Sequence, residues 1–192
     1  MSSNSISAKS KMRLDLHQQL KNQFPQQRVE RSQAIEKNLA SFFVNQSGCW
    51  GAFLHLADEP QINWKLVSDR IKWCFPKITQ NKLIFIHGAI HFHRSDLGVQ
   101  EPTDGTTVEL DQLAGVVAPG LAFSRSGHRL GRGQGYYDRN LFNYKGLKIG
   151  VCYGLSFVDG LPFEPHDVLF DHIVTETSTY QVVHSEGDLK WN

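Results

Sequence analysis

VVAPGLAFSRSGHRLGRGQGYYDRNL, residues 116–141, changes character twice. Its opening belongs to a run of small and branched apolar side chains, residues 114–120, stopped by Pro119 and Gly120, which reads as a strand buried on both faces. A glycine-dense stretch follows over residues 127–135, and a helix is predicted to start near Tyr136. Strand, glycine turn and helix in succession form the first half of a β-α-β unit. Outward from it the alternation continues. LKIGVCYG (147–154) and HIVTE (172–176) read as strands downstream, and CWGAFLHL (49–56) and LIFIH (83–87) as strands upstream. Helical spacing marks residues 9–24, with Pro25 as the stop, then 28–45 through Ile35, Leu39, Phe42 and Phe43, and 63–74 through Val67, Ile71 and Cys74. Residues 88–112 hold only short strands and a polar loop. The expectation is an α/β fold of three layers, a mainly parallel sheet with helices on both faces. Neither an internal repeat nor a linker divides the chain. A flexible tail over 1–8 and a single domain over 9–192 are expected.

Composition narrows the function classes. The chain has 192 residues, 20 basic and 19 acidic, for a net charge of +1, with 40% hydrophobic and 20% charged residues. Collagen-like, low-complexity and disordered classes are excluded. A dedicated nucleic-acid binder would be far more basic. Cys49, Cys74 and Cys152 are odd in number and form no C-x-x-C, so they read as reduced structural thiols. The amino terminus lacks the apolar core of a signal peptide, and no run approaches the length of a membrane helix. A cytoplasmic protein is expected, with neither nucleic acid nor membrane as partner; a monomer is expected too, and the small molecules it acts on follow from the resemblance described below.

The chemistry concentrates where the fold was read. Gly131, Gly133 and Gly135 alternate with Arg132 and Gln134. Glycines let backbone N–H groups converge on an anion, and the following helix aims its positive end at the same place. Arg129, Arg132 and Arg125 add forked donors that match phosphate oxygens. Asp138, in the first helical turn, is placed to hold Mg²⁺, a hard cation that prefers oxygen. The order matches neither a Walker A loop nor a dinucleotide fingerprint. A bare G-x-G-x-G also serves as a tight strand–helix connection. The arginines and the aspartate around these glycines favour phosphate.

PGLAF followed by G-x-R-L-G-R-G-Q-G-Y-Y-D-R, at 119–123 and 127–139, resembles the signature of the 5-formyltetrahydrofolate cyclo-ligases (5,10-methenyltetrahydrofolate synthetases). The likeness extends to Lys9 and Arg13 as K-x-x-x-R, to LHLADEP at 54–60, to GVQEP at 98–102 and to LPFEPHDVLFDHIVTE at 161–176. The chain departs at Phe53 and Ser156, where the family commonly has tyrosine and glutamine. It also lacks the methionine often found within 87–94. The resemblance implies ATP contacts at Lys9, Arg13, Arg129, Leu130, Gly131, Arg132, Gly133, Gln134, Gly135, Tyr136 and Tyr137. It implies folate contacts at Leu54 and Glu59, and magnesium at Asp138 and Asp171. Arg132 and Asp138 are the residues expected to carry turnover. The implied reaction is ATP- and Mg²⁺-dependent ring closure of 5-formyltetrahydrofolate to 5,10-methenyltetrahydrofolate, through phosphorylation of the formyl oxygen.

Competing readings stand beside it. A protein of the same fold could hold a nucleotide or folate without turnover. A sugar-phosphate or CoA-transferring enzyme would need a glutamate or lysine catalyst, and no motif here marks one. His87, His91 and His93 share strand parity and could ligate zinc, but no fourth partner accompanies them. Trp50, Trp64 and Trp73 read as packing residues.

Overall fold

A computed structural model describes residues 7–80, 82–96 and 98–183. Helix α1 (Ala8–Lys21) starts behind Ser7, whose hydroxyl accepts the Ser10 N–H at 3.2 Å. The tail expected over 1–8 therefore gives way at Ser7 and Ala8 to a capped helix, and its first six positions lie outside the described residues. Helix α2 (Pro25–Phe43) begins at Pro25, which opens this helix rather than closing the one before it. Proline suits a first turn because its missing N–H would have no partner there.

Strand β1 (Cys49–Gly51) is three residues long, not the eight that the apolar run suggested. Helix α3 (Trp64–Val67) is a single turn, and the chain then enters strand β2 (Lys72–Thr79). Ile71 and Cys74 fit a helical period with Val67, but Trp73 and Cys74 face opposite sides of the sheet and each is buried. Pro76 sits inside β2, where proline normally argues against a strand. It lies beyond the last β1 pairing, Gly51 with Cys74, so β1 needs no N–H from it.

Strand β3 (Lys82–His87) returns antiparallel to β2. Then come β4 (Phe92–Arg94), β5 (Gln100–Pro102), β6 (Thr106–Val108), β7 (Gly115–Pro119), β8 (Ala122–Ser124) and β9 (Arg129–Leu130). Helix α4 (Tyr136–Leu141), β10 (Leu147–Val151), β11 (Phe157–Val158), β12 (His172–Val174) and β13 (Thr179–Gln181) complete the order. The main sheet has eight strands in the order β13-β12-β10-β7-β1-β2-β3-β6. From β12 to β2 every neighbour is parallel, whereas β13, β3 and β6 add antiparallel edges.

Both faces are covered, as expected of a three-layer α/β fold. On one face Leu20, Ile35, Leu39 and Phe43 of α1 and α2 pack on Trp50, Val117, Ile149 and Val174. On the other, Leu141, Tyr144, Phe123 and Phe170 pack on Val116, Ala118 and Ile173. Each fully buried side chain of this kind stabilises the fold by about 1.5–3 kcal/mol. Trp50, Trp64 and Trp73 all lie in the first core. Cys74 and Cys152 are buried thiols, and burial pushes Cys74 up to about 12. Among the described residues no helix is long and apolar enough to cross a membrane.

Candidate functional site

Neighbouring parallel strands β7 and β1 are where the sheet changes direction: β10 and β12 extend to one side, β2 to the other. In open α/β sheets a crevice forms outside the carboxyl ends of the strands at such a point. Two segments leave the sheet there, residues 52–60 after β1 and residues 120–135 after β7. Arg129 Nε donates to the Pro119 carbonyl at 2.8 Å, which ties β9 back to the end of β7. The loop 131–135 then crosses the crevice. A Cβ on Gly131 would come within 2.6 Å of Arg129 Nη1, so glycine is what lets the guanidinium lie against the backbone. Gly133 (φ +95°) and Gly135 (φ +65°) take left-handed conformations that turn the chain into α4. From the opposite side, α1 reaches over the loop, and Arg13 Nε donates to the Gly131 carbonyl at 2.9 Å.

This loop separates two cavities. The first holds about 280 Å³ and is mostly apolar, with Phe53, Leu54, Ile78 and Tyr137 around the carboxyl groups of Glu59 and Glu101. The second holds about 670 Å³ and is polar, with Lys9, Arg13, Asp138, Arg139 and Asp167 in its wall. Arg129, Gly131 and Gly135 border both.

The charges are arranged in pairs. Arg132 Nε donates to Glu59 Oε1 at 3.0 Å, and its Nη2 donates to Asp58 Oδ1. His17 Nδ1 stands 2.8 Å from the other Asp58 oxygen. Burial opposes ionisation of Asp58, yet the Arg132 hydrogen bond and charge hold its carboxyl below the usual range. Burial likewise opposes the Arg132 charge, and Glu59 and Asp58 more than offset it, keeping the guanidinium above its ordinary value. In the second cavity Lys9 Nζ bonds Glu164 Oε2 and Asp167 Oδ2, each at 2.7 Å. Despite desolvation, those two acids raise the Lys9 ammonium. Arg129 Nη1 lies 3.9 Å from Asp138 Oδ2, and Asp138 Oδ1 is buried with no hydrogen-bond partner. Burial pushes the Tyr137 phenol up, beside the Arg129 guanidinium 4.8 Å from its ring centre.

An unsatisfied buried carboxylate oxygen on a polar cavity is a donor that a hard cation fits. Asp138 is therefore the residue here that could hold Mg²⁺. Glu164, His166 and Asp167 also bring ligand atoms within 4.8 Å of one another, but Lys9 already occupies the two carboxylates.

The residues singled out in the sequence fall mainly on these two cavities. Leu54, Glu59, Arg132, Gln134, Tyr136 and Tyr137 border the first; Lys9, Arg13, Leu130, Gly133 and Asp138 border the second. Asp171 borders neither. Its Oδ2 accepts the Lys148 N–H at 2.7 Å, near the amino-terminal ends of β10 and β12. Arg125 turns away to Asp159 at 2.9 Å. His87 approaches the Trp73 carbonyl and His91 pairs with Asp104 at 2.7 Å, and no group of potential metal ligands among the described residues contains the histidine trio. Asp58, Glu101, Arg139 and Asp167 were missed as individual residues. All four stand inside stretches already quoted, so proximity to a named motif was the available signal.

Residues 5–176 match the model of the 5-formyltetrahydrofolate cyclo-ligase family. A 5-formyltetrahydrofolate cyclo-ligase of Mycolicibacterium smegmatis is 44% identical over 62 residues, 31% of this chain and 32% of the relative. That of Escherichia coli K12 is 30% identical over 95 residues, 48% of this chain and 50% of the relative. The aligned stretches thus span a third to a half of those curated relatives. The solved structure of Aquifex aeolicus 5,10-methenyltetrahydrofolate synthetase superposes with a TM-score of 0.78 at 24% identity, covering 94% of this chain and 95% of that one. That likeness establishes the fold.

Proposed function

The chain belongs to the 5-formyltetrahydrofolate cyclo-ligase family, and on that premise we propose that it closes 5-formyltetrahydrofolate to 5,10-methenyltetrahydrofolate at the expense of ATP, releasing ADP and phosphate. One observation carries this reading: a single glycine loop borders an apolar cavity and a second cavity whose wall holds Lys9, Arg13, Arg129 and Arg139 beside Asp138. A folate and a triphosphate held in the two would meet across loop 131–135.

A formamide oxygen is a poor leaving group, so ring closure needs activation. In the proposed reaction the formyl oxygen attacks the γ-phosphorus and ADP departs. N10 then attacks the formyl carbon and loses its proton, and the phosphorylated oxygen leaves as phosphate. Such transfer asks little covalent chemistry of a protein; positioning and cationic stabilisation suffice. We assign Lys9, Arg13 and Arg129 to the polyphosphate, together with backbone N–H groups of the loop. Lys9 must then exchange its carboxylate partners for phosphate oxygens. Arg132 keeps Nη1 free of the bonds to Glu59 and Asp58 and offers it to the oxygen being phosphorylated. Glu59 and Asp58 hold that guanidinium in one orientation. Asp138 would hold Mg²⁺, which supplies charge neutralisation for the transferring phosphoryl group. Asp171, engaged by Lys148, is assigned to no step.

The proposed enzyme acts as a cytoplasmic monomer, and sedimentation at enzyme concentrations checks the oligomeric state. The decisive assay mixes the protein with 5-formyltetrahydrofolate and follows the near-ultraviolet absorbance of the methenyl product. The absorbance is expected to rise only with ATP and Mg²⁺. Nucleotide binding without that rise would replace the proposal with the non-catalytic alternative.

A further inference from the structure

Glu101 is 6% exposed and sits in β5 with its carboxyl group on the apolar cavity. Buried acidic groups in folded proteins are almost always paired with a cation or fully hydrogen-bonded, because desolvating the charge is expensive. Glu101 meets neither condition. No Lys, Arg or His of the described residues forms an ion pair with it. Its Oε2 accepts one long bond from the Ile78 N–H at 3.4 Å, and Oε1 accepts none from any described residue. Glu59, the other acid of the same cavity, is the opposite case. Its Oε1 accepts from Arg132 and its Oε2 from the Leu56 N–H at 2.9 Å. One carboxyl group is thus saturated by the protein, and the other is left open towards an apolar space.

We propose that Glu101 is the acceptor for the paired donor edge of the substrate's 2-amino-4-oxopyrimidine ring, its N3–H and 2-amino group. This rests on the folate reading above and names the residue that recognises the ring end of that substrate. Two parallel N–H donors match the two oxygens of a carboxylate as a guanidinium does, and both bonds gain strength because the oxygen partner is charged. The surroundings suit the rest of the ring: Ile78, Leu83 and Val99 border the same cavity, giving a flat bicycle apolar contact. Glu101 comes from β5 and Arg132 from the loop after β7, so two separate elements supply the two side chains to one cavity. Gripping the ring there would leave the formyl-bearing edge free to face Arg132.

The test measures KM for both substrates in the wild type and in Glu101→Gln, and compares 5-formyltetrahydrofolate with its analogue lacking the 2-amino group. Replacing one acceptor oxygen by an NH₂ sets donor against donor. The folate KM is expected to rise about 30- to 100-fold while the ATP KM stays within about twofold. The wild type should bind the analogue at least about tenfold more weakly than the parent, and the variant should not distinguish them. An unchanged folate KM in the variant, or equal binding of the two compounds by the wild type, overturns the proposal. If Glu101→Gln does not fold, the analogue comparison on the wild type decides alone. If the wild type yields no methenyl product, the reaction fails; equilibrium binding of the two folates, read from tryptophan fluorescence, still decides the role of Glu101.

Discussion

Arg132, within loop 131–135, borders the apolar cavity and Asp138 the polar one, and each holds its place by a different balance. The buried Asp138 Oδ1 lacks any partner, but Oδ2 lies 3.9 Å from Nη1 of the buried Arg129, so truncating this side chain also takes a carboxylate from that guanidinium. Asp138→Ala is expected to lower kcat about 10²- to 10³-fold, as for loss of one preorganised electrostatic contact, with a smaller loss of melting temperature than Arg132→Ala because Arg129 keeps its bond to the Pro119 carbonyl. Steady-state kinetics at saturating MgATP check it, and a wild-type rate would remove Asp138 from the chemistry. Arg132→Ala should lose as much activity but more stability, because it strands Asp58 and Glu59. The Asp58 pair carries a pH dependence of definite sign. Its folded carboxyl titrates below its ordinary value of 3.8, so its stabilising contribution is complete above that value and fades as pH falls below it. Asp58→Asn should therefore cost about 2 kcal/mol at pH 7, and the gap to the wild type should shrink as pH falls below 3.8, as measured by urea unfolding. A gap that stayed constant across that range would show that the charge is irrelevant. None of this was legible in LHLADEP, because Arg132 lies 74 positions further along the chain. Only the fold brings them together.

At the scale of elements, the strand–glycine–helix unit was readable and most of its surroundings were not. Glycine spacing announces a turn whose conformations other residues resist, and the helix that follows starts at Tyr136 as the pattern said. By contrast β2 hid behind Pro76 and an accidental helical period. Strands β8 and β9, of three and two residues, are too short for any period to register. Their pairing is nonetheless what aims Arg129, through Ala122 with Leu130 and Phe123 with Arg129. The loop they launch can be tested as a unit. At Gly133 a Cβ would stand 3.8 Å from Arg13, so space is available, but φ is +95°. Gly133→Ala should accordingly destabilise the fold by about 1–2 kcal/mol through backbone strain alone. Relief of that strain would redirect the loop N–H groups, so the ATP KM is expected to rise about tenfold, more than the stability loss explains. An ATP KM equal to that of the wild type would mean that the loop backbone does not contact the nucleotide.

For the whole molecule, alternating strands and helices were enough to indicate a doubly covered sheet, but not its antiparallel edges, since β13, β3 and β6 pair through hairpins and longer returns with no distinct pattern. The net charge of +1 was equally silent about location. Four arginines fall between Arg125 and Arg139, and three of them, Arg129, Arg132 and Arg139, border the cavities. What the architecture adds is mechanical. Helix α1 is seated in the core by Leu20 and closes the polar cavity through Lys9 and Arg13, while the segments after β1 and β7 build the apolar one. Both proposed ligand sites therefore draw on the same folded unit, and each ligand should stabilise that unit as a whole. At a hundredfold excess over its Kd, a ligand bound only by the folded state adds about 2.7 kcal/mol. In a chain of this size that corresponds to a rise of about 5–10 °C in Tm. MgATP and 5-formyltetrahydrofolate, added separately, should each shift one and the same calorimetric transition by that amount. Lys9→Ala should blunt the nucleotide shift at fixed ligand concentration and leave the folate shift intact, because Lys9 touches only the polar cavity. A nucleotide that raised one transition and a folate that raised another would mean that α1 and the sheet melt apart, and that the loop between the cavities cannot couple them.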